Sequence, residues 1–255
     1  MFVITQDAKI YTTSFGSPTA PIILGIGGWI GSWELWTEPF SILSRTWHTI
    51  AYDHRGSGAT VASAESITAM QLVDDLFAVM DAYGIARCVL AAESAGALTA
   101  LGAALAKPER ITGLVIVDGM YYRPPTDPDL FLLGLHKAYS KTLDRFVEAC
   151  LPEADCEHIK RWGRQIIDRS EQAAAIALYL AAGSVDLRRD LPHIRQPTLI
   201  IHGEADAIVP LAAAEMLAQT LPDAQLVTLP AAGHVPTLTQ PNTIATAISN
   251  FFVTA

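Results

Sequence analysis

The sequence is poor in cysteine, in basic residues and in long apolar runs, and each shortage excludes a class of protein. Only 3 of its 255 residues are cysteine, an odd and small number that fits neither a disulfide scaffold nor a cysteine-rich metal site. Lys and Arg total 17 against 26 Asp and Glu, and the net charge of -9 has the wrong sign for binding a phosphate backbone or an anionic membrane. No apolar run approaches the ~18 residues that a membrane helix requires. Nucleic acids and membranes are therefore not expected as partners.

The amino-acid composition is typical of one globular α/β domain. Apolar residues make up 51% of the chain and charged residues 17%, which is enough apolar material for one sizeable core. The first residues lack a basic region followed by a long apolar stretch, so we expect no secretory signal. Together with the few cysteines, this predicts a cytoplasmic location. We expect a monomer or a homodimer that acts on a small molecule.

Short apolar runs alternate with helical patterns along most of the chain. This alternation is expected where crossover helices cover both faces of a mostly parallel sheet. Helices are predicted over 68–83, where Gly84 follows, and over 95–106, just before a Lys-Pro pair. The predicted strands cover residues 2–5, 9–15, 22–26, 48–52, 88–92, 114–117, 198–202 and 225–229.

One long segment departs from this alternation. Residues 121–191 have helical periodicity but no convincing strand, and strand character returns after Pro197. We interpret residues 121–191 as an inserted helical cap. Residues 1–120 and 192–255 would form the core domain that carries it.

A serine stands where a predicted strand meets a predicted helix. Residues 89–97 read Val-Leu-Ala-Ala-Glu-Ser-Ala-Gly-Ala, a relaxed form of the Gly-x-Ser-x-Gly pattern centred on Ser94. The small residues Ala92 and Gly96 suit a sharp turn that brings them close to neighbouring backbone while exposing the central side chain. Ser94 is therefore a candidate nucleophile.

A serine hydroxyl needs a base within hydrogen-bond reach, and the base needs a carboxylate to orient it. His234 lies on a glycine-containing loop between the last predicted strand and the last helix, which makes it the candidate base. Asp206 follows the strand at 198–202 and is the first candidate for the acid. Asp118, which ends the strand at 114–117, is the alternative acid. The chain order serine, acid, base differs from the orders used by the chymotrypsin and subtilisin folds.

Attack by a serine on a carbonyl creates an oxyanion, which backbone N–H groups can hold without reorganising. One donor would be the N–H of Ala95, the residue after the candidate nucleophile. The second is expected on the glycine-rich loop after the strand at 22–26, where Gly28 precedes Trp29, and we predict the N–H of Trp29. This loop is neither Gly-x-Gly-x-x-Gly nor followed by Lys-Ser/Thr, which argues against a nucleotide site.

Together these segments resemble the α/β-hydrolase superfamily, in particular its small cap-bearing members, which include carboxylesterases, enol-lactonases and carbon–carbon bond hydrolases. The segments that carry the resemblance, which extends over nearly the whole chain, are 27–29, 53–58, 92–96, 203–210 and 233–236. The resemblance implies a mostly parallel eight-stranded sheet flanked by helices, and a catalytic triad of Ser94, Asp206 and His234. It also implies that no cofactor is needed, and no metal site is expected.

Two positions depart from the pattern of the family. The oxyanion loop in such enzymes commonly begins His-Gly, whereas the pair here is Gly27-Gly28, so an ordering role of that histidine is missing. A carboxylate, Glu93, precedes the serine. Glu93 would disfavour acidic substrates if it faces the pocket, or it could point away and bond the cap.

The pocket is expected to be largely apolar. Its candidate lining residues are Gly28, Glu93, Tyr121 and Trp162. Further aromatic residues expected around its mouth are Trp29, Trp33, Trp36, Tyr122 and Phe131.

These residues predict a serine hydrolase that cleaves a small, largely apolar carboxylic ester or lactone through an acyl-enzyme intermediate. A carbon–carbon bond hydrolase of a diketone-type substrate is one alternative, less favoured because Val235 rather than an aromatic residue follows the candidate base. A second alternative is a non-hydrolytic member of the same fold, either a cofactor-independent oxygenase or a small-molecule receptor.

Overall fold

Nine strands form one sheet in the computed structural model, which describes residues 1–253. The strands are β1 (Phe2–Ile4), β2 (Ala8–Phe15), β3 (Ile22–Ile26), β4 (His48–Tyr52), β5 (Val61–Ala62), β6 (Cys88–Glu93), β7 (Ile111–Val117), β8 (Thr198–Gly203) and β9 (Ala224–Leu229). Eight of them follow the order β1-β2-β4-β3-β6-β7-β8-β9, and β5 pairs with β2 beside this path. Strand β5 could not be predicted from sequence because its two residues are too few and too exposed to form an apolar pattern.

Strands β3, β4 and β6 to β9 run parallel, and β1, β2 and β5 are antiparallel to their partners. Every residue of β6 and of β8 is buried, which explains why both read as unbroken runs rather than as alternating strands. The chain leaves β3 towards β4 on one side and later returns to β6 on the other. Loops that follow adjacent parallel strands meet at the carboxyl edge of the sheet at such a reversal.

The described residues form ten α-helices. They are α1 (Thr37–Leu43), α2 (Ala69–Ala82), α3 (Gly96–Ala106), α4 (Leu130–Lys137), α5 (Tyr139–Cys150), α6 (Glu157–Ile167), α7 (Gln172–Gly183), α8 (Leu211–Thr220), α9 (Pro236–Thr239) and α10 (Pro241–Val253). The start of α2 is set by Thr68, whose hydroxyl accepts a hydrogen bond from the N–H of Gln71. Gly84, in the left-handed region at φ +66, lies just beyond its end.

The two faces of the sheet support separate apolar cores. Leu90 and Ala92 of β6 pack with α2, α3 and α8, whereas Val89 and Ala91 pack with α1 and α10 on the opposite face. Helices therefore cover both faces, and the predicted mostly parallel sheet flanked by helices is confirmed.

Four helices, α4 to α7, lie between β7 and β8 and build a third apolar cluster with the loop that follows β3. In that loop the indole N–H of Trp29 donates to the backbone oxygen of Ala175 in α7 at 2.8 Å. The division into a core domain and a cap at 121–191 stays a prediction. Within the described residues, no helix has the length and apolar character needed to cross a membrane.

Candidate active site

Ser94 occupies a strained turn between β6 and α3. Its φ of +52 lies in the left-handed region, which costs free energy for a residue with a Cβ. The turn is held by hydrogen bonds from the N–H of Ser94 to the oxygen of Val117 (3.0 Å) and from the N–H of Ala97 to the oxygen of Ser94 (3.1 Å). Gly96 permits the tight turn, since a Cβ there would lie 2.5 Å from the backbone oxygen of Gly27. The sequence thus folds so as to present one hydroxyl at the sheet edge.

His234 joins Ser94 to Asp206. Its Nε2 lies 2.8 Å from Ser94 Oγ and its Nδ1 lies 2.7 Å from Asp206 Oδ2. Because an ionised carboxylate can only accept, Nδ1 carries the proton and Nε2 accepts from the serine hydroxyl. The loop is anchored on the insertion, because the N–H of His234 donates to the oxygen of Cys150 at 2.8 Å. The three residues named from sequence form one continuous hydrogen-bonded chain.

Asp206 is held in its ionised form. Its Oδ1 accepts hydrogen bonds from the N–H groups of Ile208 (2.7 Å) and Val209 (3.0 Å). Burial alone would raise the pKa of Asp206, but the hydrogen bond from His234 and these backbone donors outweigh burial and lower the pKa below its ordinary value. A fixed carboxylate at this position orients the imidazole of His234.

Asp118, the alternative acid, sits behind Asp206 and not beside His234. Its Oδ1 accepts from the N–H of Gly203 at 2.8 Å and lies 3.4 Å from Nδ1 of His202. Burial and the neighbouring Asp206 raise the pKa of Asp118 well above its ordinary value, so this carboxyl holds a proton at neutral pH. Burial lowers the pKa of His202, whose Nε2 donates to the oxygen of Val209 and leaves Nδ1 as an acceptor facing Asp118.

Three residues in or beside the triad have side chains that can bind metal ions. Asp118, His202 and Asp206 offer ligand atoms within 4.8 Å of one another. A cation between them would have to displace the hydrogen bonds that Asp206 makes with His234 and with two backbone N–H groups. These hydrogen bonds commit the carboxylate of Asp206 to His234 and to the backbone, which argues against a metal ion as its partner.

The loop after β3 lies directly against the serine. A Cβ added to Gly28 would lie 3.1 Å from Ser94 Cβ, so a larger residue there would press on Ser94 and shift it by a few tenths of an ångström. The oxygen of Gly28 lies 2.9 Å from Nε2 of His54, which fixes the loop from below. Among the hydrogen bonds of residues 1–253, none uses the backbone N–H of Trp29 or of Ala95. Two backbone donors next to Ser94 are thus left for a ligand.

Two cavities meet at Ser94. The smaller, of about 60 Å³, is apolar apart from Glu93 and the Ser94–His234 pair, and Ile30, Val147 and Leu238 are among its walls. The larger, of about 270 Å³, has an aromatic wall that includes Trp29, Phe131, Phe146 and Tyr179. A substrate carbonyl at Ser94 could place one substituent in each cavity.

Not all predicted pocket residues are brought to these cavities. Gly28 and Glu93 line the smaller cavity, as expected. Among the described residues that line either cavity, Tyr121 and Trp162 are not found. Tyr121 is buried in the apolar core on one face of the sheet. Trp162 packs on two apolar clusters, while Gly163, one position along α6, lines the cavity.

The other aromatic residues divide in the same way. Trp29 and Phe131 line the larger cavity. Trp36 stacks on Phe40 in the core, and Trp33 contacts Phe15, both away from the site. Several lining residues were missed, and no motif marks them. They include Met120, Arg123, Phe146, Tyr179 and Ile208 in the larger cavity and Ile30, Val147 and Leu238 in the smaller.

Glu93 is a neutral acid at the wall of the smaller cavity. The residue is only 1% exposed, and its Oε2 accepts a hydrogen bond from the hydroxyl of Thr237 at 3.2 Å. Burial raises the pKa of Glu93 to about 8. The residue faces α9 and the cavity rather than the solvent, and Thr237 is a partner that no sequence motif indicated.

Comparisons with known proteins identify the family and the fold of the chain. A family model described as the alpha/beta hydrolase family matches residues 23–247. A putative carbamate hydrolase RutD of Caulobacter vibrioides is 29% identical, with 98% of this chain and 97% of that protein covered. A hydrolase from Pseudomonas aeruginosa PA01 matches with a TM-score of 0.92 at 24% identity over 99% of this chain and 97% of that one. The enol-lactonase from Burkholderia xenovorans LB400 matches with a TM-score of 0.92 at 20% identity over 99% and 100% of the two chains.

Proposed function

Because the chain belongs to the α/β-hydrolase family, we propose that it is a serine hydrolase that cleaves a small, largely apolar carboxylic ester or lactone through an acyl-enzyme intermediate. The observation that carries the proposal is the hydrogen-bonded chain from Ser94 through His234 to Asp206. A serine, an imidazole and an ionised carboxylate in this order are the parts needed to activate a hydroxyl for attack on a carbonyl.

In the first half of the reaction, Oγ of Ser94 attacks the carbonyl carbon while Nε2 of His234 takes the hydroxyl proton. Asp206 stabilises the imidazolium that forms, because its carboxylate already accepts from Nδ1 at 2.7 Å. The N–H groups of Trp29 and Ala95 would hold the oxyanion, since neither is used by another hydrogen bond of the described residues. The imidazolium then protonates the leaving oxygen, and the acyl group stays on Ser94.

In the second half, a water takes the place of the leaving group. His234 removes a proton from this water as it attacks the acyl carbon, and the proton is returned to Ser94 when the ester to the enzyme breaks. The products are a carboxylic acid and the regenerated hydroxyl. A lactone follows the same path, but the alcohol and the acid remain one molecule.

The inserted helices α4 to α7 would serve as the cap of this site. Phe146 and Val147 of α5 and Tyr179 of α7 form walls of the two cavities at Ser94. Largely apolar walls favour uncharged substrates and strengthen the hydrogen bonds made to the oxyanion.

A carbamate is the second candidate substrate class. The relative from Caulobacter vibrioides bears the name putative carbamate hydrolase. A carbamate presents the same carbonyl to Ser94, with nitrogen in place of one carbon substituent, so the residues would keep the roles given above.

The proposal is tested by hydrolysis of a panel of phenyl esters, γ- and δ-lactones and phenyl carbamates by the purified chain. We expect turnover of at least one class, and loss of turnover by about six orders of magnitude in Ser94→Ala. Turnover that Ser94→Ala retains would assign hydrolysis to another group. A folded chain that turns over none of the panel would favour the carbon–carbon hydrolase, oxygenase or receptor alternatives.

A further inference from the structure

The smaller cavity at Ser94 is lined by a carboxyl group, that of Glu93, with one oxygen that has no hydrogen-bond partner among the described residues. Glu93 is 1% exposed and has a single hydrogen bond among the described residues, from the hydroxyl of Thr237 to Oε2 at 3.2 Å. The other carboxyl oxygen, Oε1, has no protein partner in the part of the chain that the structure describes. When Thr237 donates to Oε2, the proton of the neutral acid is carried by Oε1 and can be donated.

Apart from Ser94 and His234, the side chains that line the smaller cavity around this acid are largely apolar. The walls of the cavity include Ile30, Val147, Leu151 and Leu238, which offer no hydrogen-bond acceptor from their side chains. A buried donor that lacks an acceptor is unfavourable, so a ligand that supplies one gains binding energy in addition to its apolar contacts.

We propose that Glu93 is a specificity-determining residue that donates a hydrogen bond to an acceptor atom in the short group held in the smaller cavity. The inference rests on the proposed function and names its substrate class: esters, lactones or carbamates with one short, uncharged substituent that carries an ether, keto or similar oxygen. The cavity of about 60 Å³ has room for a short group of a few non-hydrogen atoms. The second substituent, which can be larger and aromatic, would occupy the cavity of about 270 Å³.

Two matched pairs of esters test the inference. Phenyl methoxyacetate and phenyl butanoate differ only in an oxygen that replaces a methylene on the acyl side. The pair 2-methoxyethyl benzoate and butyl benzoate makes the same change on the alcohol side. For each pair the ether-to-alkyl ratio of kcat/KM in the wild type is divided by the ratio in Glu93→Met, which cancels the intrinsic reactivity of the esters.

We expect this quotient to be about five- to tenfold for one of the two pairs, because one hydrogen bond is gained. Glu93→Gln, which keeps a donor, should recover part of the preference. The matched control Glu204→Met, which removes an exposed carboxyl two positions before Asp206, should leave the ratio unchanged. A quotient near one for both pairs would overturn the inference.

The wild type alone provides a second readout, which does not depend on the folding of a variant. Burial raises the pKa of Glu93 to about 8, so the preference for the ether should be present at pH 6.5 and lost at pH 9.5. Cys150 and His234 also line the cavity, and Asp206 and Asp118 are charged or titratable neighbours of Glu93, but all four act on both members of a pair and cancel in the ratio. A preference that does not change with pH would contradict the role of the Glu93 proton.

Failure of this inference can be told from failure of the proposed hydrolase activity. If the wild type hydrolyses none of the four esters, binding of the same esters to Ser94→Ala is measured by titration calorimetry. The ether should then bind about five- to tenfold more tightly than its alkyl partner in one pair, and Glu93→Met in the Ser94→Ala background should abolish the difference. Equal Kd values for both pairs would overturn the role of Glu93.

Discussion

Replacing Glu93 by glutamine should remove a pH-dependent loss of stability from the protein. Burial raises the pKa of this carboxyl from 4.5 to about 8, so between these values the folded chain keeps a proton that the unfolded chain has released. The contribution of Glu93 to stability is therefore fully present below pH 4.5 and is lost as pH rises towards 8. Each pH unit in this interval lowers the free energy of unfolding by ~1.4 kcal/mol, which gives about 5 kcal/mol in all.

The assay is urea denaturation of wild type and Glu93→Gln between pH 4.5 and 9. Glutamine has nearly the same shape and does not ionise, so the variant should gain about 5 kcal/mol relative to the wild type over this range. Asp186→Asn is the control, because Arg188 holds the pKa of the exposed Asp186 near 2 and its difference curve should be flat above pH 5. A flat difference curve for Glu93→Gln, or one of opposite slope, would refute the assignment of a neutral buried acid.

Three further outcomes follow from the geometry. Asp206→Asn should lower kcat by roughly three to four orders of magnitude because His234 loses the carboxylate that orients it. Asp118→Asn should have little effect on kcat. Steady-state kinetics in which Asp118→Asn is the more damaging change would make Asp118 the acid. Gly28→Ala should lower kcat by about 100-fold or more, because the new Cβ would lie 3.1 Å from Ser94 Cβ. Circular dichroism should show that the fold of the variant is intact. An unchanged kcat would mean that this loop takes no part in the mechanism. Asp75→Ala should cost about 3 to 5 kcal/mol in urea denaturation because the buried Arg55 loses its bidentate partner; a cost below about 1 kcal/mol would show that Asp7 suffices.

The fold could be predicted from sequence because its strands are unusually easy to recognise. Strands buried along their whole length, such as β6 and β8, read as unbroken apolar runs, and glycine or proline ends the neighbouring helices. The short β5 escaped because a two-residue exposed strand depends on its partner β2 rather than on its own composition.

Site residues whose role depends on backbone position could be predicted from sequence, whereas those whose role depends on side-chain direction could not. Ser94, Asp206 and His234 each follow a predicted strand, and this position together with the resemblance to the α/β-hydrolase superfamily predicted that they would meet at one sheet edge. Tyr121 and Trp162 could not be placed in this way. The direction of a side chain in the insertion depends on how its helices pack, and a change of one position turns Trp162 away while Gly163 faces the cavity.

Covalent labelling by a fluorophosphonate tests directly whether Ser94 is an activated nucleophile. The test requires no knowledge of the substrate. The folded chain is treated with the reagent and the modified peptide is identified by mass spectrometry. We predict an adduct on Ser94 that is absent from Ser94→Ala and forms far more slowly in Asp206→Asn. A folded protein that forms no adduct, or forms one on another residue, would show that Ser94 is not an activated nucleophile.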